Sequence, residues 1–453
     1  MKVVKFGGSS VANAEQISKI IGIVTADVDR RIVVVSAPGK RHKDDTKVTD
    51  LLIAFADTVI AGLDVEAVLK AVVDRYAEIQ RDLDLTPVVV ETIEADLRGR
   101  IEKRGTNDLQ FMDAMKAAGE DCNARVIAEA FTKAGFPAKY VNPGEAGMLL
   151  SDEFGNAEVL PESFENLSSL KDSDEIVIFP GFFGFTQGGD VATFPRGGSD
   201  ITGAILAAAV NADLYENFTD VDSVCAMDPR VIDNPPAIDC MTYREMRELS
   251  YAGFGVFHDE AIIPAVRANI PICIKNTNNP SAPGTLVVPT RKPENGSVVG
   301  ISSASGFCSL YIDKYMMNRE VGFGRRLLGI LEEEGISFEH TPSGIDNMSV
   351  IFSSVNLSDA KEGKVINRIV TELNPDAVNV EHGLALIMVV GEGMHCTPGM
   401  AAKATQAMAK TGANLEMINQ GASEISMMFA VKDTDLNKTL QALGKAFFGI
   451  QAG

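Results

Sequence analysis

The N-terminal stretch KFGGSS sets a single lysine, Lys5, inside an apolar run and follows it at once with Gly7, Gly8 and Ser9. A glycine-rich turn after a strand presents backbone N–H groups, and a helix starting there adds the positive end of its dipole. Together they suit a phosphate or another anion. The triplet recurs at Gly197-Gly198-Ser199, flanked by Arg196 and Asp200 and running into SDITGAILAAAVNA (199–212). Ser199 or Asp200 suits the N-cap of that helix, and an arginine fork beside it suits a carboxylate. A third stretch, ENFTDVDSVCAMDPR (216–230), offers Thr219, Asp220, Asp222 and an Asp228-Pro229-Arg230 turn where a base and ribose would fit. A fourth, KAAGED (116–121), carries Glu120. Taken singly, each has an ordinary reading: a strand ending in a turn, a capped helix, an acidic surface loop, a solvated glutamate. The Walker A pattern is absent, and GxGxxG is missing from the first turn.

These residues need a frame to bring them together, and the chain up to about residue 290 alternates strand and helix. VVKFGG, RIVVVSAPG (31–39), AKYVNP (138–143), EIVIFPGFFGF (175–185), DLYENFTDV (213–221) and IPICIKNT (270–277) read as strands. Residues 14–28, most of 48–135 and 199–212 have helical period, with breaks at Pro87 and RGTND (104–108). Short β-branched runs alternating with helices predict a mostly parallel sheet covered on both faces.

PTRKPENGS (289–297) is a linker by composition, and the texture changes after it. A shift of 77 residues lays Gly322, Gly335, Glu339, Gly344, Ser349 and Phe352 on Gly399, Gly412, Glu416, Gly421, Ser426 and Phe429. SLYIDKYM (309–316) matches LIMVVGEG (386–393) in apolar pattern, and MSVIF (348–352) matches ISMMF (425–429). The expectation is a small duplicated αβ unit.

The 453 residues are 45% hydrophobic and 23% charged, with a formal charge of −21, which argues against a nucleic-acid or anionic-membrane surface. Six scattered cysteines without CxxC or zinc-like Cys/His spacing predict a reduced, cytoplasmic setting and no metal-ligating set. The N-terminus lacks a signal-peptide layout, and no apolar run reaches a membrane-spanning length.

The ordered series KFGGSS, VVVSAPGK…TKVTDLL (33–52), AAGED (117–121), PRGGSD (195–200), FTDVD…DPR (218–230) and HDEAIIPAVRANIPICIKNTNNPSAPGT (258–285) resembles the aspartate kinases of the amino-acid kinase superfamily over essentially the whole chain. The resemblance implies an α/β fold: a three-layer αβα catalytic domain over 1–290, then two ACT-like βαββαβ units over 300–380 and 381–453. A last strand near 445–450 would either close the second unit or complete the first. It implies that MgATP phosphorylates the β-carboxylate of L-aspartate to give L-4-aspartyl phosphate, the first step toward lysine, threonine and methionine.

Carried over, Lys5 and Asp200 would be catalytic. Ser36, Thr49, Glu120, Arg196, Gly197, Gly198 and Ser199 would hold aspartate, with Arg196 on its α-carboxylate and Glu120 on its α-ammonium. Lys5, Gly7, Gly8, Ser9, Thr219, Asp220 and Arg230 would meet ATP, and Mg²⁺ would accompany the nucleotide. Lysine or threonine would bind at Met317, Gly322, Gly324, Ser337, Phe338, Glu339, Asn414 and Leu415, and the ACT units would make a homodimer or a dimer of dimers. The chemistry agrees with these roles. The nucleophile is already ionised at neutral pH and needs no general base, so fixed positive charge and N–H donors carry the work.

Two departures from the family pattern fall on the nucleotide side. Gly255 in GVFH (255–258) stands where many members have lysine, and Ser223 and Cys225 replace a glycine and an aromatic. His258 reads as a core or supporting histidine. The departures leave open a catalytically silent amino-acid sensor on the same fold. A kinase for glutamate or N-acetylglutamate is the other alternative, against which Glu120 and the doubled C-terminal module speak.

Overall fold

The structure, a computed structural model, describes residues 1–251, 253 and 259–450, so Gly255 and His258 lie outside the described residues. The chain forms two compact units. The first holds most of the chain up to Arg291. The second holds the remainder together with Cys225–Pro236 and a stretch beginning at Arg247.

The first unit contains β1 (Lys2–Phe6), β2 (Arg30–Val35), β3 (Ala138–Tyr140), β4 (Leu149–Leu150), β5 (Ile176–Pro180), β6 (Phe183–Thr186), β7 (Val191–Thr193), β8 (Leu214–Thr219), β9 (Cys240–Thr242), β10 (Ile272–Asn276) and β11 (Thr285–Val288). Eight of them form one sheet in the order β3-β5-β2-β1-β8-β10-β11-β9, parallel except where β10 meets β11. β1 lies in its interior between β2 and β8, which explains why Val3, Val4 and Phe6 are all fully buried. The helices Ala14–Thr25, Val48–Ile60, Glu66–Asp82, Val88–Glu102 and Asp108–Lys133 share one apolar core with β1 and β2. The helix Gly198–Ala209 packs against β1 and β8. Its Gly203 faces Tyr215, where a Cβ would stand 2.4 Å from the phenol oxygen. β4, β6 and β7 make a separate three-stranded sheet.

The second unit is built on β12 (Gly300–Asp313), β13 (Asn347–Ser353), β14 (Ala377–Val390), β15 (Met417–Asn419) and β16 (Ser426–Lys432). They form one antiparallel sheet in the order β13-β12-β14-β16-β15. The two repeats share this sheet. β12 and β14 pair along their whole lengths, and each also carries its own repeat's hairpin strand.

The 77-residue shift reappears in the cores. Leu310, Ile312, Met317, Phe323, Leu327, Val350 and Phe352 of one cluster correspond to Ile387, Val389, Met394, Met400, Ala404, Met427 and Phe429 of the other. The strand expected near 445–450 is a correction: the helix Leu436–Phe448 occupies that stretch. Leu440 and Leu443 bury one helical face there, and Gly449 ends the helix in the left-handed region at φ +70°.

Candidate active site

The register of β1 on β8 sets Lys5 directly beside Asn217. Residues paired this way point to the same face of a sheet. Both reach Asp200 in the first turn of the helix Gly198–Ala209. Lys5 Nζ lies 2.6 Å from Asp200 Oδ1, and Asn217 Nδ2 donates to the same oxygen at 2.6 Å. The Tyr215 hydroxyl donates to the Asp200 carbonyl at 3.2 Å. Lys5 is only 8% exposed, and the Asp200 carboxylate beside it supplies the opposite charge. The helix begins so close to the sheet because Gly197 takes φ +80° and because Gly198 leaves no room for a side chain, a Cβ there falling 2.5 Å from the Phe182 ring.

Glu120 arrives from the middle of the helix Asp108–Lys133. Gly119 before it allows the approach, since a Cβ there would lie 2.8 Å from Ala37 Cβ. Glu120 is 5% exposed, and its Oε2 has no hydrogen-bond partner among the described residues. Burial pushes its carboxyl up to about 8, against the opposing pull of the Ala37 backbone hydrogen bond and the Lys5 charge. Nearby, Asn123 donates to the Ser36 carbonyl at 2.7 Å.

A cavity of about 640 Å³ gathers these groups. Lys5, Ser36, Thr49, Glu120, Arg196, Gly197, Gly198, Ser199 and Asp200 all line it, and Arg196 is exposed. Gly7, Gly8, Ser9, Thr219 and Asp220 stand at the neighbouring ends of β1 and β8, where the Gly7 N–H donates to the Phe218 carbonyl at 3.2 Å. Gly39 presses on this turn: a Cβ there would come 2.6 Å from the Gly8 carbonyl carbon and 2.9 Å from Ser9 N. Arg230 belongs to the second unit and pairs with Asp228 at 2.7 Å. Asp222 accepts from Asn276 Nδ2 at 2.7 Å, which fixes the loop after β8.

Sequence reasoning passed over several groups at this site. Lys116 lines the cavity four residues before Glu120 on the same helix, and that spacing was the available signal. Lys47 and Asp50 flank Thr49 within a quoted motif. Phe182, with φ +76°, shows nothing in the sequence, because its strained backbone is set by packing.

In the second unit, Gly322 (φ +80°) caps the helix Phe323–Glu333, Gly324 lies in its first turn, and the Met317 side chain sits in the first repeat's core. Ser337 and Phe338 are exposed, Asn414 Nδ2 donates to Glu416 at 2.9 Å, and Leu415 packs on the second core. A cavity of about 390 Å³ is lined by Glu339, His340, Tyr251, Asn419 and Ser423 among others, and Glu339 is the only effector candidate on its wall. The Tyr251 hydroxyl donates to Glu339, whose carboxyl is raised by burial.

The model of the amino acid kinase family matches residues 1–276, and an ACT domain model matches residues 387–447. Aspartokinase 3 of Bacillus subtilis is 56% identical over 448 residues, covering 99% of each chain. The crystal structure of Clostridium acetobutylicum aspartate kinase superposes with a TM-score of 0.89 at 38% identity, covering 99% of this chain and 100% of that one. Escherichia coli aspartokinase III has been solved with aspartate and ADP in an R-state (TM-score 0.77, 26% identity, 99% and 100% covered). It has also been solved with lysine and aspartate in a T-state (TM-score 0.73, 25% identity, 99% of each covered). A cavity that joins a balanced buried lysine to a buried carboxyl with one unpartnered oxygen, on a chain matched end to end by such relatives, identifies it as a member of the amino acid kinase family, within its aspartokinase branch.

Proposed function

We propose that the chain transfers the γ-phosphoryl group of ATP to the β-carboxylate of L-aspartate, giving ADP and L-4-aspartyl phosphate. The observation that carries this reading is the orphaned Oε2 of Glu120, buried in the same cavity as Arg196 and Lys5. A buried carboxyl oxygen with no partner is satisfied by a cationic donor, whose arrival favours the ionised form. The α-ammonium of an amino acid is one, and Arg196 at the exposed wall takes the α-carboxylate as a fork. Ser36 and Thr49 add hydroxyl groups along the same wall.

The β-carboxylate attacks phosphorus in line while the bond to the β,γ-bridging oxygen breaks and ADP leaves. No proton moves in this step. Lys5 offsets charge on the transferring group, and Asp200 with Asn217 holds Lys5 in place. The glycine turns at Gly7–Ser9 and Gly197–Ser199 offer N–H donors to phosphate oxygens, while Thr219 and Asp220 serve the rest of the nucleotide. Both side-chain bonds of Asp200 fall on Oδ1, so Oδ2 is the oxygen that suits Mg²⁺ arriving with the nucleotide, since one carboxylate plus phosphates and water is a normal ligand set for that ion. Bound Mg²⁺ would neutralise phosphate charge.

The repeat unit would bind an end-product amino acid, lysine or threonine. The support is the ACT match and the lysine complex of the E. coli relative. Homodimer formation through this unit, and a cytoplasmic location, belong to the same reading. No described helix is long and apolar enough to cross a membrane.

The test is aspartate-dependent ADP release with MgATP, trapping the acyl phosphate with hydroxylamine, with glutamate in parallel and with lysine or threonine added. Hydroxamate from aspartate and none from glutamate is expected. Tight binding of lysine without any turnover would instead favour a silent sensor.

A further inference from the structure

The loop after β14 brings three metal-type donors together in the second unit. His395 Nε2 lies 3.4 Å from Cys396 Sγ, and His395 Nδ1 lies 3.7 Å from Glu424 Oε2. One donor atom from each of the three residues falls within 4.8 Å of the others. We propose that His395, Cys396 and Glu424 bind a thiophilic divalent cation of the zinc class. The ion would tie the loop between β14 and the helix Met400–Ala409 to the loop between β15 and β16.

The His395 Nε2–Cys396 Sγ separation of 3.4 Å matches such an ion, and Glu424 lies within the 4.8 Å from which a small side-chain rotation closes the set. Metal–donor bonds of about 2.0–2.3 Å in a tetrahedron set neighbouring donors roughly 3.3–3.7 Å apart. Adjacent side chains ordinarily diverge, and here the backbone turns them back. Cys396 takes φ +53° and Glu424 φ +54°, a left-handed conformation that non-glycine residues rarely adopt. The Cys396 N–H also donates to Glu424 Oε2 at 2.9 Å, so the two loops are already in register.

The donor chemistry selects the metal. A thiolate with an imidazole favours zinc, cobalt or copper over magnesium and calcium, which prefer oxygen. The side chains of His395 and Glu424 are 58% and 44% exposed, so the ion can enter and water can complete its shell.

The repeat frame does not require these residues. Seventy-seven positions earlier stand Asn318, Arg319 and Asn347, a set with no thiolate, imidazole or carboxylate. The sequence scan predicted no metal site because it looks for ligands at short fixed spacing, and Glu424 is 28 residues from Cys396.

The experiment is Co²⁺ titration of the full reduced, metal-stripped chain, followed by absorption spectroscopy. One equivalent should produce a thiolate-to-cobalt charge-transfer band with tetrahedral ligand-field bands, and Zn²⁺ should abolish both. Cys396→Ser should remove the charge-transfer band, and Glu424→Gln or His395→Ala should weaken binding by about tenfold or more. Circular dichroism confirms that each variant is folded. Absence of the band, its persistence in Cys396→Ser, or unchanged affinity in both other variants would overturn the proposal.

Discussion

The two units place their charged groups differently. Around the catalytic cavity, charge is buried and polar atoms are left unanswered: Lys5 and Glu120 are nearly inaccessible, and Glu120 Oε2 and Thr193 Oγ1 lack partners among the described residues. In the repeat unit, charge is largely solvent-facing and paired, as in Arg368 with Glu333, Glu334 and Glu372, or Lys432 with Glu381. Its interior repeats at the 77-residue shift along the sheet and the first helix of each repeat. The first arrangement gives up stability for a group that a ligand will satisfy. The second spends its sequence on a frame and varies the loops. Substitutions should therefore separate, with the first unit losing turnover and the second losing stability.

The largest effect should come from Lys5→Ala, which removes the balanced cation and should lower kcat by about 10³-fold. ADP release measures it, and a loss below about threefold would break the assigned role. Next, Glu120→Gln keeps the shape and removes the charge. It should raise the KM for aspartate by about 10–100-fold with a smaller change in kcat, as expected for one lost charged hydrogen bond.

The third test sharpens the same contrast through pH. In the free protein the Glu120 carboxyl is pushed from its ordinary 4.5 to about 8, so near pH 7 it is mostly protonated. An arriving α-ammonium should ionise it, so calorimetry in buffers of different ionisation enthalpy should show close to one proton released per aspartate bound at pH 7. The folded state holds this proton more tightly than the unfolded state does. Its stabilising contribution is complete below the ordinary value of 4.5 and is lost as pH rises through about 8. Thermal melts of Glu120→Gln against the parent should show the variant gaining in relative Tm across that interval, and a flat difference would contradict the buried carboxyl.

The smallest effects belong to the repeat frame. Gly335 and Gly412 are counterparts with φ +65° and +69°, and a Cβ at either meets nothing within 4 Å. Alanine at each should therefore cost only the left-handed backbone strain, about 1–2 kcal/mol, equally at both sites and without moving kcat. Denaturant melts measure the cost, and unequal values would break the equivalence of the repeats.

Much of this was legible in the chain. β-branched runs such as Arg30–Val35 marked interior strands, because a parallel sheet buries both faces. The glycine spacing marked the duplication, and the structure puts Gly322 and Gly399 at matching helix N-termini with φ above zero. The end of the chain misled: period alone does not separate a short apolar strand from a helix face, and Leu440 and Leu443 bury a helix.

By itself the sequence determined most element types, the duplication and the residue kinds able to bind an amino acid and a phosphate, since these follow from local periodicity, backbone freedom and side-chain chemistry. Tertiary structure alone decided that Lys5 would meet Asn217 and Asp200, that Glu120 would lose its solvent and leave Oε2 unpaired among the described residues, and that Glu424 would face Cys396. Register, burial and approach between distant segments depend on how the whole core closes, and no local stretch of sequence carries that information.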